Sequence, residues 1–236
     1  MNDTDPQRTG LAAEPDAGPS RHRSAIGHEI GHEPEVEAVP LVAGDAFIAL
    51  DLQRDFLPGG VLAVPGAHQV IEPVNACMAA FARLDLPVHA SRDGHPPQHC
   101  SFREQGGPWP AHGIAGAAGA EFADGLRLPH STVVISKGGD ARVDACSAFD
   151  RTGLATRLRA CGVKRLFVAG VATDRCVLQT VRAAIAEGFE VVVVSDAIAA
   201  TGITPGDGQR AVVRMRTLGA IFVTSHGIAP RRPVRV

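Results

Sequence analysis

The chain has 236 residues, with 23 Lys and Arg against 25 Asp and Glu, a formal net charge of −2. That length fits one large domain or two small ones, and no apolar run approaches the roughly eighteen residues a spanning helix needs. Lys and Arg form no patch dense enough to track a phosphate backbone, so nucleic acid and membrane are poor partners and a small neutral ligand is a better one.

Residues 1 to 44 hold eight acids and three Arg, a net of −5, and all nine Phe and the single Trp lie at or beyond Phe47. A segment without bulky side chains cannot offset its ordering entropy, so a disordered tail is expected there. A domain is expected over 45–226 and a basic tail over 227–236, where three Arg crowd the last six residues. The opening MNDTDPQRTG has neither a basic start with an apolar run nor an Arg-rich, acid-poor character. Cytoplasm is therefore the expected location.

From residue 45 short apolar runs recur at Ala46 to Leu50, Pro87 to Ala90, Thr132 to Ile135, Arg165 to Ala169, Glu190 to Val194 and Ala220 to Val223. Near-continuous Val, Ile, Leu and Phe without in/out alternation predicts strands buried on both faces of a parallel sheet. Between them, stretches with helical spacing lie around 67–84, 150–161, 176–187 and 207–218, with Gly162, Gly188 and Gly219 where helices should stop. The alternation predicts a three-layer, doubly wound α/β domain of about six mostly parallel strands. In such a sheet, ligands collect beyond the carboxyl ends of the strands.

Three of those ends carry chemistry. The first strand ends at Asp51, which alone reads as a cap or turn carboxylate. The third ends at Lys137 before two glycines, and a lone Lys there is usually solvated. The fourth runs into AGVATDRCV, putting Cys176 in the first turn of a helix, where amides and the macrodipole stabilise a thiolate. Cys176 alone could equally be a buried, inert thiol. An Asp, a Lys and a Cys converging from three strand ends, however, supply a base, a charge stabiliser and a nucleophile.

The long Gly/Pro-rich segment from Asp93 to Leu128 is expected to be functional. Asp93 and His95, two apart at a strand end, project to one side, and the loop can return His112 to complete a two-His, one-carboxylate metal site with open positions. His99 is expected to hydrogen-bond behind these ligands rather than join them. The five cysteines, Cys77, Cys100, Cys146, Cys161 and Cys176, are odd in number and lack CxxC spacing, against a disulfide framework or a zinc knuckle.

Over roughly residues 45 to 225 the chain resembles the nicotinamidases of the isochorismatase-like cysteine hydrolase superfamily. The resemblance rests on Asp51-Leu52-Gln53-Arg54-Asp55-Phe56, on Asp93 and His95 with Trp109 to His112, on Lys137, and on Gly170 to Val177. It implies that Cys176 attacks a carboxamide, Asp51 moves the proton, Lys137 stabilises both charges, and a thioester forms. It further implies an oxyanion hole from the N–H groups of Ala172 and Cys176, and a cis peptide between Val171 and Ala172. Asp93, His95 and His112 would hold one divalent metal, zinc first with iron or manganese as alternatives, that grips the pyridine nitrogen of nicotinamide. Phe56 and Trp109 would flank the ring, with Cys146 and Val171 nearby. The product would enter NAD salvage. Pyrazinamide is a further expected substrate, and a homo-oligomer is left open.

The departures from the family pattern are Gly94 and Gly113, expected not to touch the chemistry, and Arg54 and Cys146, expected to bear on pocket shape. Two other readings remain open: a metal-free cysteine amidase for a carbamoyl or ureido substrate, and a non-catalytic pyridine-binding module.

Overall fold

The structure, a computed structural model, describes residues 38–230. Its strands and helices in chain order are β1 (Val39–Leu41), β2 (Asp45–Leu50), α1 (Ile71–Ala82), β3 (Val88–Asp93), β4 (Val133–Lys137), α2 (Leu154–Ala160), β5 (Arg165–Val171), α3 (Leu178–Ala186), β6 (Glu190–Ala199), α4 (Asp207–Thr217), β7 (Ile221–Val223) and β8 (Ile228–Pro230). Six strands form one sheet in the order β4-β3-β2-β5-β6-β7, every neighbouring pair parallel. The expected α/β architecture is therefore present, and each predicted strand and helix lies at or near its expected place.

The sheet is buried on both faces, which is why its strands read as unbroken apolar runs. Phe47, Ala49, Phe167, Ala169, Val192 and Val194 pack on one side with α1, where Phe81 sits between the Phe47 and Phe167 rings at 5.5 and 5.1 Å. Ala46, Ile48, Leu50, Leu166, Val168, Val191 and Val193 pack on the other with Leu154 and Leu158 of α2, Val181 of α3 and Met215 of α4. Gly162, Gly188 and Gly219 close α2, α3 and α4 with positive φ, as expected.

The tail expectation needs correction at both ends. Val39–Leu41 is a strand that pairs in parallel with Ile228–Pro230 as a separate two-stranded sheet. Val39, Leu41 and Ile228 are buried in the α1-side core, and Arg165 donates to the Pro40 carbonyl and to both Asp45 oxygens. The ordered unit thus begins before residue 45 and runs past 226, because a few apolar side chains suffice when a ready surface receives them. The remainder of the expected tails, residues 1–37 and 231–236, lies outside the described residues.

The chain runs from β2 outward to β3 and β4, then returns to the other side of β2 as β5 and continues outward to β6 and β7. The reversal lies between β2 and β5, and there the crevice beyond the strand ends is expected. No helix among the described residues is long and apolar enough to cross a membrane.

Candidate active site

A cavity of about 360 Å³ opens at that reversal, lined by Asp51, Phe56, Asp93, His95, Trp109, His112, Lys137, Cys146, Val171, Ala172 and Cys176, among others. Every residue singled out in the sequence for chemistry or substrate contact is in this list.

Asp51 follows β2 directly and takes the left-handed conformation, φ +54, which turns the chain out of the sheet. Its buried carboxylate accepts a hydrogen bond from Ser91 Oγ at 2.6 Å, and its Oδ2 lies 3.0 Å from Lys137 Nζ, off the hydrogen-bond axis of that donor. Burial raises its proton affinity above the ordinary carboxylate value; Lys137 opposes this, Asp93 adds to it, and hydrogen bonds from Ser91 and Cys176 pull the other way. The result is a carboxylate disposed to take up a proton.

Lys137 closes β4, and Nζ is buried among Asp51, Asp93 and the Cys176 sulfur, the last at 3.7 Å. Burial alone would neutralise such an amine, but the charges of Asp51, Asp93 and Cys176 push it well above its usual value. It stays an ammonium. Asp93 is its register partner on β3 and contacts it directly. Burial would raise the Asp93 carboxyl, yet Lys137 and His95 hold it below the usual range.

Cys176 lies on a π turn, Thr173–Val177, between β5 and α3. The expected ordinary first helical turn is thus a wider one, of the kind that recurs at functional sites. The Val171–Ala172 peptide before it is cis. The Cys146 and Cys176 sulfurs lie 3.7 Å apart and share a hydrogen bond. That contact, burial and the Asp51 charge push the Cys176 thiol up, against Lys137. The same contact pulls its partner Cys146 down. The two sulfurs titrate as a pair, and Cys176 holds its proton until a base removes it.

Asp93, His95 and His112 are all buried, and one ligand atom from each lies within 4.8 Å of the others. His95 Nδ1 is 3.0 Å from the His112 carbonyl and His112 Nδ1 is 2.8 Å from the Pro110 carbonyl. Those carbonyls make each Nδ1 the protonated nitrogen and leave each Nε2, 3.9 Å from an Asp93 oxygen, as the free donor atom. A divalent ion fits this donor set. His99 does not join it: Nδ1 bonds Ser101 Oγ at 2.7 Å, Nε2 faces the Val143 carbonyl at 3.2 Å, and the ring stacks on His95 at 4.2 Å.

The loop returns His112 by two local bridges, His95 with Ile114 and Phe102 with Trp109, and by the His95 N–H bond to the Gly113 carbonyl at 2.8 Å. Phe56 meets the His112 ring edge-on at 5.7 Å, and Arg175 lies 4.9 Å over the Trp109 ring.

Three residues carry roles that the motifs alone left unread. Gln53, fully buried, brackets the Asp93 backbone by accepting from its N–H at 2.7 Å and donating to its carbonyl at 2.8 Å. Asp55 accepts the Gly113 N–H at 2.8 Å, fixing the loop just after His112. Ser91, two residues before Asp93, orients Asp51; it pairs in register with Leu50, next to Asp51, which only the folded sheet reveals.

Gly113 has φ +56, and a Cβ there would overlap Asp93, so the position favours glycine. One of the expected departures needs correction. Arg54 does not shape the cavity, since it pairs with Asp124 on the surface.

A family model described as the isochorismatase domain matches residues 45–227. The nicotinamidase of Acinetobacter baylyi is 34% identical over 205 residues, covering 78% of this chain and 94% of that relative. The pyrazinamidase of Pyrococcus horikoshii, solved in complex with zinc, is 42% identical with a TM-score of 0.74, over 77% of this chain and 99% of that one. A protein of L. infantum solved in complex with nicotinate is 35% identical with a TM-score of 0.75, over 82% and 100%.

Proposed function

Since the chain belongs to the isochorismatase family, we propose that it is a nicotinamidase, converting nicotinamide to nicotinate and ammonia through a thioester on Cys176, with pyrazinamide as a second substrate. The observation that carries the reading is the position of Lys137 Nζ, 3.0 Å from Asp51 Oδ2 and 3.7 Å from Cys176 Sγ, directly beside the three-ligand cluster. A nucleophile, a base and a buried cation meet where a ring-nitrogen anchor also converges.

In the reaction Cys176 Sγ attacks the carboxamide carbon while its proton passes to Asp51, whose raised proton affinity suits it to the task. Lys137 offsets the charge as it moves from carboxylate to sulfur. The oxyanion is received by the N–H groups of Ala172 and Cys176. Asp51 then returns the proton to the leaving nitrogen, ammonia departs, and Asp51 draws a proton from the water that cleaves the thioester.

A divalent ion held by Asp93, His95 and His112, zinc being the best supported by the P. horikoshii relative, would supply a Lewis acid for the ring nitrogen. Phe56 and Trp109 hold the ring by its faces and exclude water, while Val171 and Cys146 bound the reacting end. Nicotinate formed in this way is a precursor for NAD salvage.

A metal-free amidase is the weaker reading, because it gives no use to two histidines preset with their Nε2 atoms toward a buried carboxylate. A non-catalytic pyridine binder has no use for Asp51 and Lys137 around a thiol. Formation of nicotinate from nicotinamide by the purified protein is the test; no product from either nicotinamide or pyrazinamide would overturn the reading.

A further inference from the structure

Of the four cysteines that the reaction does not need, Cys77 is buried in the core and its thiol is pushed up to about 12, chiefly by burial. Cys161 is exposed at the end of α2 and Cys100 lies on the long loop. Cys146 is different. It lines the active cavity, which no other described cysteine except Cys176 does, and its sulfur sits 3.7 Å from the sulfur of Cys176.

We propose that Cys146 and Cys176 are a site of oxidative modification, joining in a reversible disulfide when the protein meets a peroxide. The deprotonated sulfur of the pair attacks one peroxide oxygen, the O–O bond breaks, and hydroxide leaves, giving a sulfenic acid. The second sulfur attacks that sulfenic sulfur, the S–O bond breaks, and the S–S bond forms. The two thiols lose two electrons and two protons in all, and the peroxide ends as two molecules of water, or as water and an alcohol if it is organic.

The geometry favours closure within this pair. A disulfide needs the sulfurs about 2.05 Å apart, so from 3.7 Å they must approach by roughly 1.7 Å. Cys146 lies in the connection between β4 and α2, outside any strand or helix, so the approach breaks no sheet or helical ladder. The backbone just after it is pinned by Ser147 N–H to Asp150 and Ala148 N–H to Thr180, which keeps the sulfur at the cavity. Lys137, 3.7 Å from Cys176 Sγ, places a positive charge beside the sulfur pair, which favours negative charge on whichever sulfur attacks the peroxide. Neither cysteine is closed off from solvent.

The inference concerns sulfur chemistry alone and holds whatever the substrate is, so its first readout is mass rather than turnover. The full chain is exposed to hydrogen peroxide, its remaining thiols are alkylated under denaturing conditions, and the digest is mapped. The expected result is a linked peptide pair containing Cys146 and Cys176, the loss of two hydrogens from those residues, and reversal of both by dithiothreitol. Cys176 oxygenated to sulfinic acid while Cys146 stays alkylatable would overturn the proposal.

Turnover gives a second readout on Cys146→Ser, with each protein normalised to its own untreated rate. Peroxide-treated wild type should recover most of its rate with dithiothreitol, and Cys146→Ser should not, because its Cys176 goes on to irreversible oxidation. Equal recovery in the two proteins would overturn it. The wild-type map decides the question even if the variant fails to fold.

Discussion

Lys137 and Asp93 are register partners at the last positions of β4 and β3, and the ammonium of one contacts the carboxylate of the other. Because Lys137 also lies 3.0 Å from Asp51, a single buried cation balances Asp51, the proposed proton carrier, and Asp93, a ligand of the candidate metal site. The two halves of the site are therefore electrostatically one.

It follows that Lys137→Met should damage stability as well as turnover. Two buried carboxylates lose their counter-charge, which costs about 3–5 kcal/mol when one partner of a buried pair is removed. Added zinc should restore part of this loss, since Asp93 gains a new cationic partner and binding to the folded state alone stabilises it. Urea unfolding of wild type and variant, with and without zinc, checks both parts. An unchanged midpoint without metal would show that Lys137 is not the balancing charge.

Chelation should distinguish anchoring from nucleophile generation. If the ion grips the ring nitrogen, removing it should depress hydrolysis of nicotinamide and pyrazinamide far more than any residual hydrolysis of benzamide, which has no ring nitrogen to grip. A hydroxide nucleophile on the ion predicts that all three amides fail together. The measurement is the rate on each amide before and after chelation and after reconstitution.

Deletion of residues 1–44 should lower stability, because it removes Val39 and Leu41 from the core and Pro40 from Arg165. Burying two such side chains contributes on the order of 3 kcal/mol, so the melting temperature should fall by several degrees. Removal of residues 1–37 alone retains β1 and should spare this contribution. Equal melting temperatures for the two truncations would show that β1 adds nothing.

His89, buried on β3 with Nδ1 unpartnered, should make the fold acid-sensitive. Burial lowers its pKa from 6.5 to about 4, so the unfolded chain takes up a proton that the folded chain refuses. Its contribution is complete above the unfolded value and is lost as pH falls from about 6.5 toward 4, amounting to about 3 kcal/mol at the low end. Denaturation midpoints at about pH 7.5 and about pH 4.5 should differ less in His89→Gln than in wild type. An equal difference in both proteins would assign the acid sensitivity to other groups.

The sheet was legible because strands buried on both faces leave unbroken apolar runs, and the Asp51, Lys137 and Cys176 set because each member lies at or just beyond the end of such a run. β1 was not. It is three residues long with Pro40 at its centre, and its partner, Ile228–Pro230, lies at the far end of the chain. Gln53, Asp55 and Ser91 escaped for a related reason: each acts on a residue of another strand or loop, through a backbone group or a carboxylate, and no spacing within one motif records that. The π turn at Cys176 was read as ordinary helix since one extra residue in a turn leaves no mark on composition.

Ammonia release from nicotinamide by wild type and Cys176→Ala, both confirmed as folded, decides whether Cys176 is the nucleophile of a nicotinamide hydrolase. Wild type should turn over, and the variant should retain less than about a hundredth of its rate, as the loss of a nucleophile demands. Ammonia release by Cys176→Ala at a rate close to wild type, or none from wild type, would contradict that assignment.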